Sequence, residues 1–464
     1  MTFELSEEHE AFRRSVRDFA EKEVAPYVAQ WDKQHHFPVD LVHKMGDLGF
    51  FGLNAPEEYG GAGDDGDFTS LCVAIEELGR VDQSVGITLE AAVGLGINPI
   101  LTFGTEEQKQ TWLPDLVAGR TLAGFGLTAS EEFGGAGEDG DFTSLCVAIE
   151  EIGRVDQSMG ITLEAAVGLG INPILTFGTD EQKQTWLPDL VAGRTLAGFG
   201  LTEPGSGSDA GATKTKAELV DGEWVVNGSK QFITNSGSAI TSVVTVTART
   251  GTREGGRAEV STIIVPSGTP GFTAEPAYDK LGWHASDTHP LTFADARVPE
   301  ANLLGEKGFG FAQFLATLDD GRVAIAALAV GCIQACLDMS LQYAGERTTF
   351  GVPIGAKQGV AFQVADLQVM LEASRALTYK AAAMKDVGRP MKEFKQAAAI
   401  AKLYATESAV TATRVATQIF GGYGFMEEYP VTRFYRDAKV LEIGEGTSEV
   451  QRMLIARGLG LPVE

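Results

Sequence analysis

Two hydrophobic periods divide the chain. Residues 6–33 place Phe12, Val16, Phe19, Ala20, Val24 and Tyr27 at helical spacing, which predicts a helix. A shorter helix is expected over 39–49, stopping at Gly49. From Asp67 to Val81, Leu71, Ile75 and Leu78 share one face. TLEAAVGLGINPIL (88–101) continues as helix, and Thr105 caps another with Glu106 and Glu107 in its first turn. After Arg194 the period changes to two. Lys214–Leu219 alternates, and the turn dipeptides Asp221-Gly222 and Asn227-Gly228 flank EWVV and KQFIT. SVVTVTART, VSTIIVP and PLTFADARVP follow. This predicts an antiparallel sheet or barrel of about 100 residues. From Gly308 the helical period returns over 309–346, 355–387 and 391–420, and a last helix starts near Thr447 after the break GGYGFMEEYP. AIAALAVGCIQACL is apolar over a wide arc, as in a helix buried between helices or in a subunit interface. The expected class is α+β in three parts: helical 1–194, β 195–300 and helical 301–464.

Residues 57–128 recur at 131–202, 74 positions later, with five mild differences: Tyr59/Phe133, Asp64/Glu138, Leu78/Ile152, Val85/Met159 and Glu106/Asp180. Nothing else shares that period, so the pattern is one internal tandem duplication and not a solenoid. The copies end differently. Thr195–Asp209 reads TLAGFGLTEPGSGSD, and Gly205, Gly207 and the serines can bring backbone N–H groups and hydroxyls close to an anionic ligand. Thr121–Thr128 reads TLAGFGLT too, but runs into ASEEFGGAG, with glutamates where the glycine-serine loop should be. The second copy is therefore expected to hold the native position, and the first to form an extra lobe between residues 55 and 130; the opposite threading, with residues near 129–194 looped out, and an exchange between subunits are the alternatives. The glycine loop leads into strand-like sequence rather than a helix, which argues against a dinucleotide-binding βαβ unit.

A net charge of −26 with no basic stripe speaks against nucleic acid and against an anionic membrane surface. MTFELSEEHE starts an acidic helix and not a signal peptide, and no apolar run approaches the ~20 residues of a membrane span. Cys72 and Cys146 are copies of one position, and Cys332 and Cys336 lie i, i+4 in an apolar helix. Four reduced, buried thiols and a cytoplasmic enzyme without a metal site are expected.

Three motifs stand in order: EPGSGSD, RTTFG at 347–351 and RDAKVLEIGEGTSEVQR at 436–452. Together they resemble the acyl-CoA dehydrogenase family of flavoproteins over the whole chain, once one repeat copy is set aside. The resemblance implies an N-terminal helical domain, a middle β-barrel domain and a C-terminal four-helix bundle, assembled as a homodimer or homotetramer. It also implies FAD as cofactor, an acyl-CoA thioester as substrate and an electron-transfer flavoprotein as partner. The implied reaction takes a proton from the α carbon and a hydride from the β carbon. Glu445, in IGEGTS, matches the family's base. By itself it is a loop glutamate ahead of a helix capped by Thr447. Gly444 before it departs from the aromatic many members carry. The alternative base position on the preceding long helix, 319–325, holds no glutamate here.

The same resemblance assigns flavin contacts to Thr202 and Ser208, with Phe199, Leu201 and Gly207 lining that cavity and Phe232 and Thr234 at the flavin edge. Many members have Trp at position 232. Arg347, Phe350, Gln358, Gln418, Gly421 and Gly422 would reach the flavin's pyrophosphate and adenine from a neighbouring subunit. Thr447 and Glu449 would contact the cofactor's polar end. Asp319 and Arg322, three apart on one helix face, match contacts to the CoA moiety, with Ser208 and Gly446 also at the substrate. Taken without the resemblance, Asp319 and Arg322 are an intrahelical ion pair. An oxidase on the same scaffold, or a binding protein disabled by the duplication, are the competing functions.

Overall fold

The computed structural model describes residues 6–28, 30, 31, 38–63, 67–103, 105–120, 135 and 141–463. The first copy's ending, 121–128, and most of the loop 129–140 lie outside them. Contacts divide the chain into a unit of residues 1–125 with 192–194 and a unit of residues 126–191 with 195–464.

The first unit is helical. Ser6 caps α1 (Glu7–Phe19), its hydroxyl accepting from the His9 N–H. The expected continuous helix instead widens into a π turn at Ala20–Val24. Then come α2 (Val39–Asp47), α3 (Phe68–Val81), α4 (Gln83–Glu90), a π turn at Ala91–Ile97, α5 (Asn98–Phe103) and α6 (Glu106–Val117). Thr105 and Gln108 form a reciprocal capping box on α6. The core joins α1 to the first copy: Phe12 and Phe19 meet Phe50 edge-on, over Leu71, Leu78 and Leu113. This unit therefore holds the N-terminal helices together with residues of the first copy.

The second unit begins with the same series: α7 (Phe142–Val155), α8 (Gln157–Glu164), a π turn at Ala165–Ile171, α9 (Asn172–Phe177) and α10 (Asp180–Val191). Matching helices bury opposite faces. In the first unit α3 turns Glu77 inward, where its side chain is 2% exposed and takes two bonds from Arg17. Its counterpart in α7, Glu151, is 57% exposed. In the second unit α7 turns Glu150 inward, 4% exposed, to Arg375 and the Tyr379 hydroxyl. Its counterpart Glu76 is 62% exposed. One sequence supports both because its apolar arc is wide, and each unit supplies a partner on a different side. On α7 that partner is the long α11 (Gly310–Glu346), and Gly331 of α11 passes so close to the Glu150 backbone that any side chain there would collide.

Eight strands follow: β1 (Leu196–Gly200), β2 (Lys216–Val220), β3 (Glu223–Thr234), β4 (Thr241–Thr252), β5 (Ala258–Pro266), β6 (Phe272–Ala274), β7 (Thr288–Pro299) and β8 (Leu303–Leu304). The order is β6-β7-β3-β2-β4-β5-β8, with β1 beside β4. Most pairings are antiparallel, but β4 runs parallel to β1 and, at one point, to β2. Asp221-Gly222 makes the expected turn, both residues left-handed. Asn227-Gly228 does not. EWVV and KQFIT are one strand with a bulge there, and Gly228 is required because a side chain would strike Thr215 of the neighbouring segment.

The long helices α11, α12 (Gln358–Asp386) and α13 (Met391–Phe420) come where expected, with the short strands β9 (Thr348–Thr349) and β10 (Val352–Pro353) between α11 and α12. Helix α14 (Pro430–Ala438), hidden behind the break in pattern, precedes α15 (Ser448–Gly458). One expectation is corrected. Among the described residues two helical runs, Gln157–Phe177 and Gly310–Glu346, are long and apolar enough to span a membrane. Small residues carry the apolarity, which a search for bulky runs misses. Of the second's most apolar 18-residue window, 83% is buried, as in a core helix.

The opposite burial of the copies is open to test. Glu150→Ala, which strands Arg375 and Tyr379, is expected to cost about 1–3 kcal/mol in denaturant unfolding. Glu76→Ala should leave it unchanged. In the first unit, hydrogen exchange of α1 should accelerate in Glu77→Ala and not in Glu151→Ala.

Candidate functional site

All residues of the candidate site belong to the second unit. The loop after β1 is clamped from below. Glu203 takes hydrogen bonds from the Lys214 and Thr215 N–H groups, the Thr213 hydroxyl and the Lys230 ammonium (2.8 Å). Lys230 is wholly buried and also donates to the Leu201 carbonyl and the Thr247 hydroxyl. Burial alone would raise Glu203, but the Lys230 charge and these donors hold it down at about 2. Burial lowers Lys230 to about 8 against the pull of Glu203. Held this way, Gly207 and Ser208 stand exposed, and nothing lies near where a side chain at 207 would go.

The Gln231 N–H donates to the Thr202 carbonyl, which brings Thr202 beside Phe232. Phe232 is left-handed, exposed and tilted against Tyr278. Thr234 ends the same strand opposite Thr288. Leu201 is half-buried, and Phe199 is stacked on Phe314 with centroids 3.9 Å apart.

Glu445 sits in a tight turn just ahead of α15, itself left-handed and followed by left-handed Gly446. The residue is half-buried, yet both carboxyl oxygens are shut off from solvent and have no hydrogen-bond donor. Gly321 of α11 makes room for them, since a methyl group there would overlap the carboxyl. Around it stand Glu164 from α8, Asp320 and Arg322 from α11 and Lys402 from α13. Burial pushes Glu445 up to about 7, against the neighbouring Glu164 carboxyl and the Arg322 and Lys402 charges, with Asp320 adding to the rise. Burial, and then the Glu445 charge, hold Glu164 well above the usual carboxylate range. Two carboxyls in one dry space cannot both ionise cheaply, so one proton is kept between them. The arrangement can hold and release a proton near neutral pH.

Asp319 and Arg322 form the intrahelical pair, both buried, and Lys395 approaches the other Asp319 oxygen at 3.0 Å. Arg347, Gly421 and Gly422 line a cavity of about 550 Å³ with Tyr343, Phe420 and Tyr423. Gln418 and Gln358 are exposed, and Phe350 is left-handed and almost wholly exposed. Thr447 caps α15 through the Val450 N–H, and Glu449 is exposed in its first turn. Sequence reasoning missed Glu164, Lys230, Lys402 and Gln451. Glu164 and Lys402 had a signal, as lone charges inside apolar helical runs (ITLEAAVGLG and AAAIAKLYA). Lys230 and Gln451 had none.

The N-terminal domain model of the acyl-CoA dehydrogenases matches residues 6–120 and 122–194, the middle domain 198–296 and the C-terminal domain 308–460. The chain belongs to the acyl-CoA dehydrogenase family. Residues 57–120 of the first copy and 131–194 of the second fall inside matches to one N-terminal domain model. A probable acyl-CoA dehydrogenase of Bacillus subtilis is 42% identical over 99% of this chain and 100% of its own. Among solved structures, butyryl-CoA dehydrogenase from Megasphaera elsdenii is 36% identical with a TM-score of 0.57, covering 99% of this chain and 100% of that one. A chain from a structure titled for the electron transferring flavoprotein of Acidaminococcus fermentans is 35% identical with a TM-score of 0.63, covering 99% of each.

The ion pair beneath the loop of this acyl-CoA dehydrogenase gives a test. Lys230→Met leaves Glu203 buried and unpaired, and is expected to cost about 3–5 kcal/mol in urea unfolding. Lys230→Met combined with Glu203→Leu, which removes both charges, should recover much of that loss.

Proposed function

We propose that the protein is an FAD-dependent dehydrogenase of short-chain acyl-CoA thioesters, with Glu445 as the base. The observation that carries this is the Glu445 carboxyl: dry, without a donor and raised to about 7, so that it exchanges protons where the chain works. A carboxylate in that state takes the weakly acidic α proton of a thioester, and Gly321 leaves it room.

The residues present fit the cofactor. Gly207 opens onto free space, Phe232 presents an exposed ring, and the cavity at Arg347 offers a guanidinium with two glycines for close approach of phosphate. FAD, when bound, accepts the β hydrogen as hydride at its N5. Thr202, Gly207, Ser208, Phe232 and Thr234 would hold the ring side, with Phe199 and Leu201 packed behind. Arg347, Phe350, Gln358, Gln418, Gly421 and Gly422 would hold the pyrophosphate and adenine side, with Thr447 and Glu449 nearby. Phe350, Gln358 and Gln418 stand in the open, which supports a homodimer or homotetramer in which a second subunit meets them. Asp319 and Arg322, with Ser208 and Gly446, would face the CoA thioester.

The Megasphaera neighbour supports a short acyl chain, and the Acidaminococcus structure supports an electron-transfer flavoprotein as acceptor. The cytoplasm is the proposed compartment. The paired helix series is read as a tandem duplication whose second copy serves the site, since Glu164 of that copy stands beside Glu445.

Anaerobic addition of butyryl-CoA tests the base. Glu445→Gln is expected to keep the flavin colour and to bleach at least about a hundredfold more slowly than the unaltered protein. Bleaching at an equal rate would remove Glu445 from the reaction.

A further inference from the structure

The turn that carries Glu445 is held by two buried side chains with no assigned role. The Gly446 carbonyl accepts from the Lys402 ammonium at 2.9 Å and from the Gln451 amide at 2.8 Å. The Gln451 amide also reaches the Glu445 carbonyl, at 3.3 Å. Lys402 and Gln451 are both wholly buried, on α13 and α15. These bonds act on a backbone that needs holding, because Glu445 and Gly446 are consecutive left-handed residues and a glutamate adopts that conformation reluctantly.

The two donors are not equivalent. Gln451 already satisfies the carbonyl at no cost in charge. An ammonium taken out of water for a hydrogen bond that a neutral amide also makes is expensive. Its presence is accounted for by the carboxylate next to it. The charged or titratable groups facing Glu445 are Glu164, Asp320, Arg322 and Lys402. Of the two cations, Arg322 is already bonded to Asp319. Lys402 is bonded to the base's own loop.

We propose that Lys402 and Gln451 are positioning residues for the base: both fix the left-handed turn that aims Glu445, and Lys402 alone also offsets the charge Glu445 acquires when it releases its proton. This rests on Glu445 being the base. Lys402 touches neither reacting carbon and acts through Glu445.

The variants are Lys402→Met, which keeps the length and removes charge and donor, and Gln451→Met, which removes the donor alone. Each is made in the full flavin-loaded protein. The pH profile of kcat/KM with butyryl-CoA is recorded beside that of Glu445→Gln, and the protonation of Glu445 is followed by infrared difference spectroscopy. Lys402→Met is expected to move the rising midpoint upward by about one unit in both readouts and to lower kcat about tenfold or more. Gln451→Met should lower kcat with the midpoint unmoved, and it carries the test if Lys402→Met fails to fold. Wild-type kcat and midpoint in the folded variants, with Glu445→Gln inactive, would overturn the proposal. Full activity in Glu445→Gln would instead overturn the assignment of the base.

Discussion

The site depends on the cost of keeping one carboxyl out of water. Glu445 has no donor, and its oxygens lie against a glycine where any side chain would intrude. Dry burial favours the protonated form and brings the group to about 7, where it can both lose and accept a proton. A raised value also has a sign for stability. The group favours the fold below the ordinary carboxylate range and loses that contribution as pH rises through about 7. The surrounding structure must offset the deficit, and the packed helices α11 and α13 supply the apolar burial to do so. A buried charge pair beneath the loop after β1, Glu203 with Lys230, follows opposite logic. There the charges satisfy each other, and Glu203 is held at about 2.

The two helix series show how far a local sequence leaves its surroundings free. Helices that differ at a single residue, Leu78 against Ile152, bury Glu77 in one unit and Glu150 in the other. Neither face is wrong for the sequence. Arg17 is available to one and Arg375 to the other, and an amphipathic helix with a wide apolar arc accepts whichever partner the rest of its unit presents.

Much of this was legible beforehand. Period and punctuation place the long helices and most strands, and the Thr105 and Thr447 caps stand where their side chains predict. What failed did so for a physical reason. Asn227-Gly228 has the composition of a turn, but its glycine answers a neighbouring backbone and not a change of direction. Helix α14 follows a glycine-rich break, and its apolar face is too short to announce itself. Glu445 was visible through its motif, but its surroundings were not. Glu164 and Lys402 lie in sequence 281 and 43 residues from Glu445, and only the packing of α8 and α13 brings them to it.

The most direct measurement is the exchange of the α hydrogens of butyryl-CoA with heavy water, under anaerobic conditions and below saturation, as a function of pH. If the dry carboxyl at 445 is what moves the proton, deuterium enters the α position with a midpoint near 7. A midpoint near the ordinary carboxylate value of 4.5, or bleaching of the flavin with no entry of deuterium, would contradict the account.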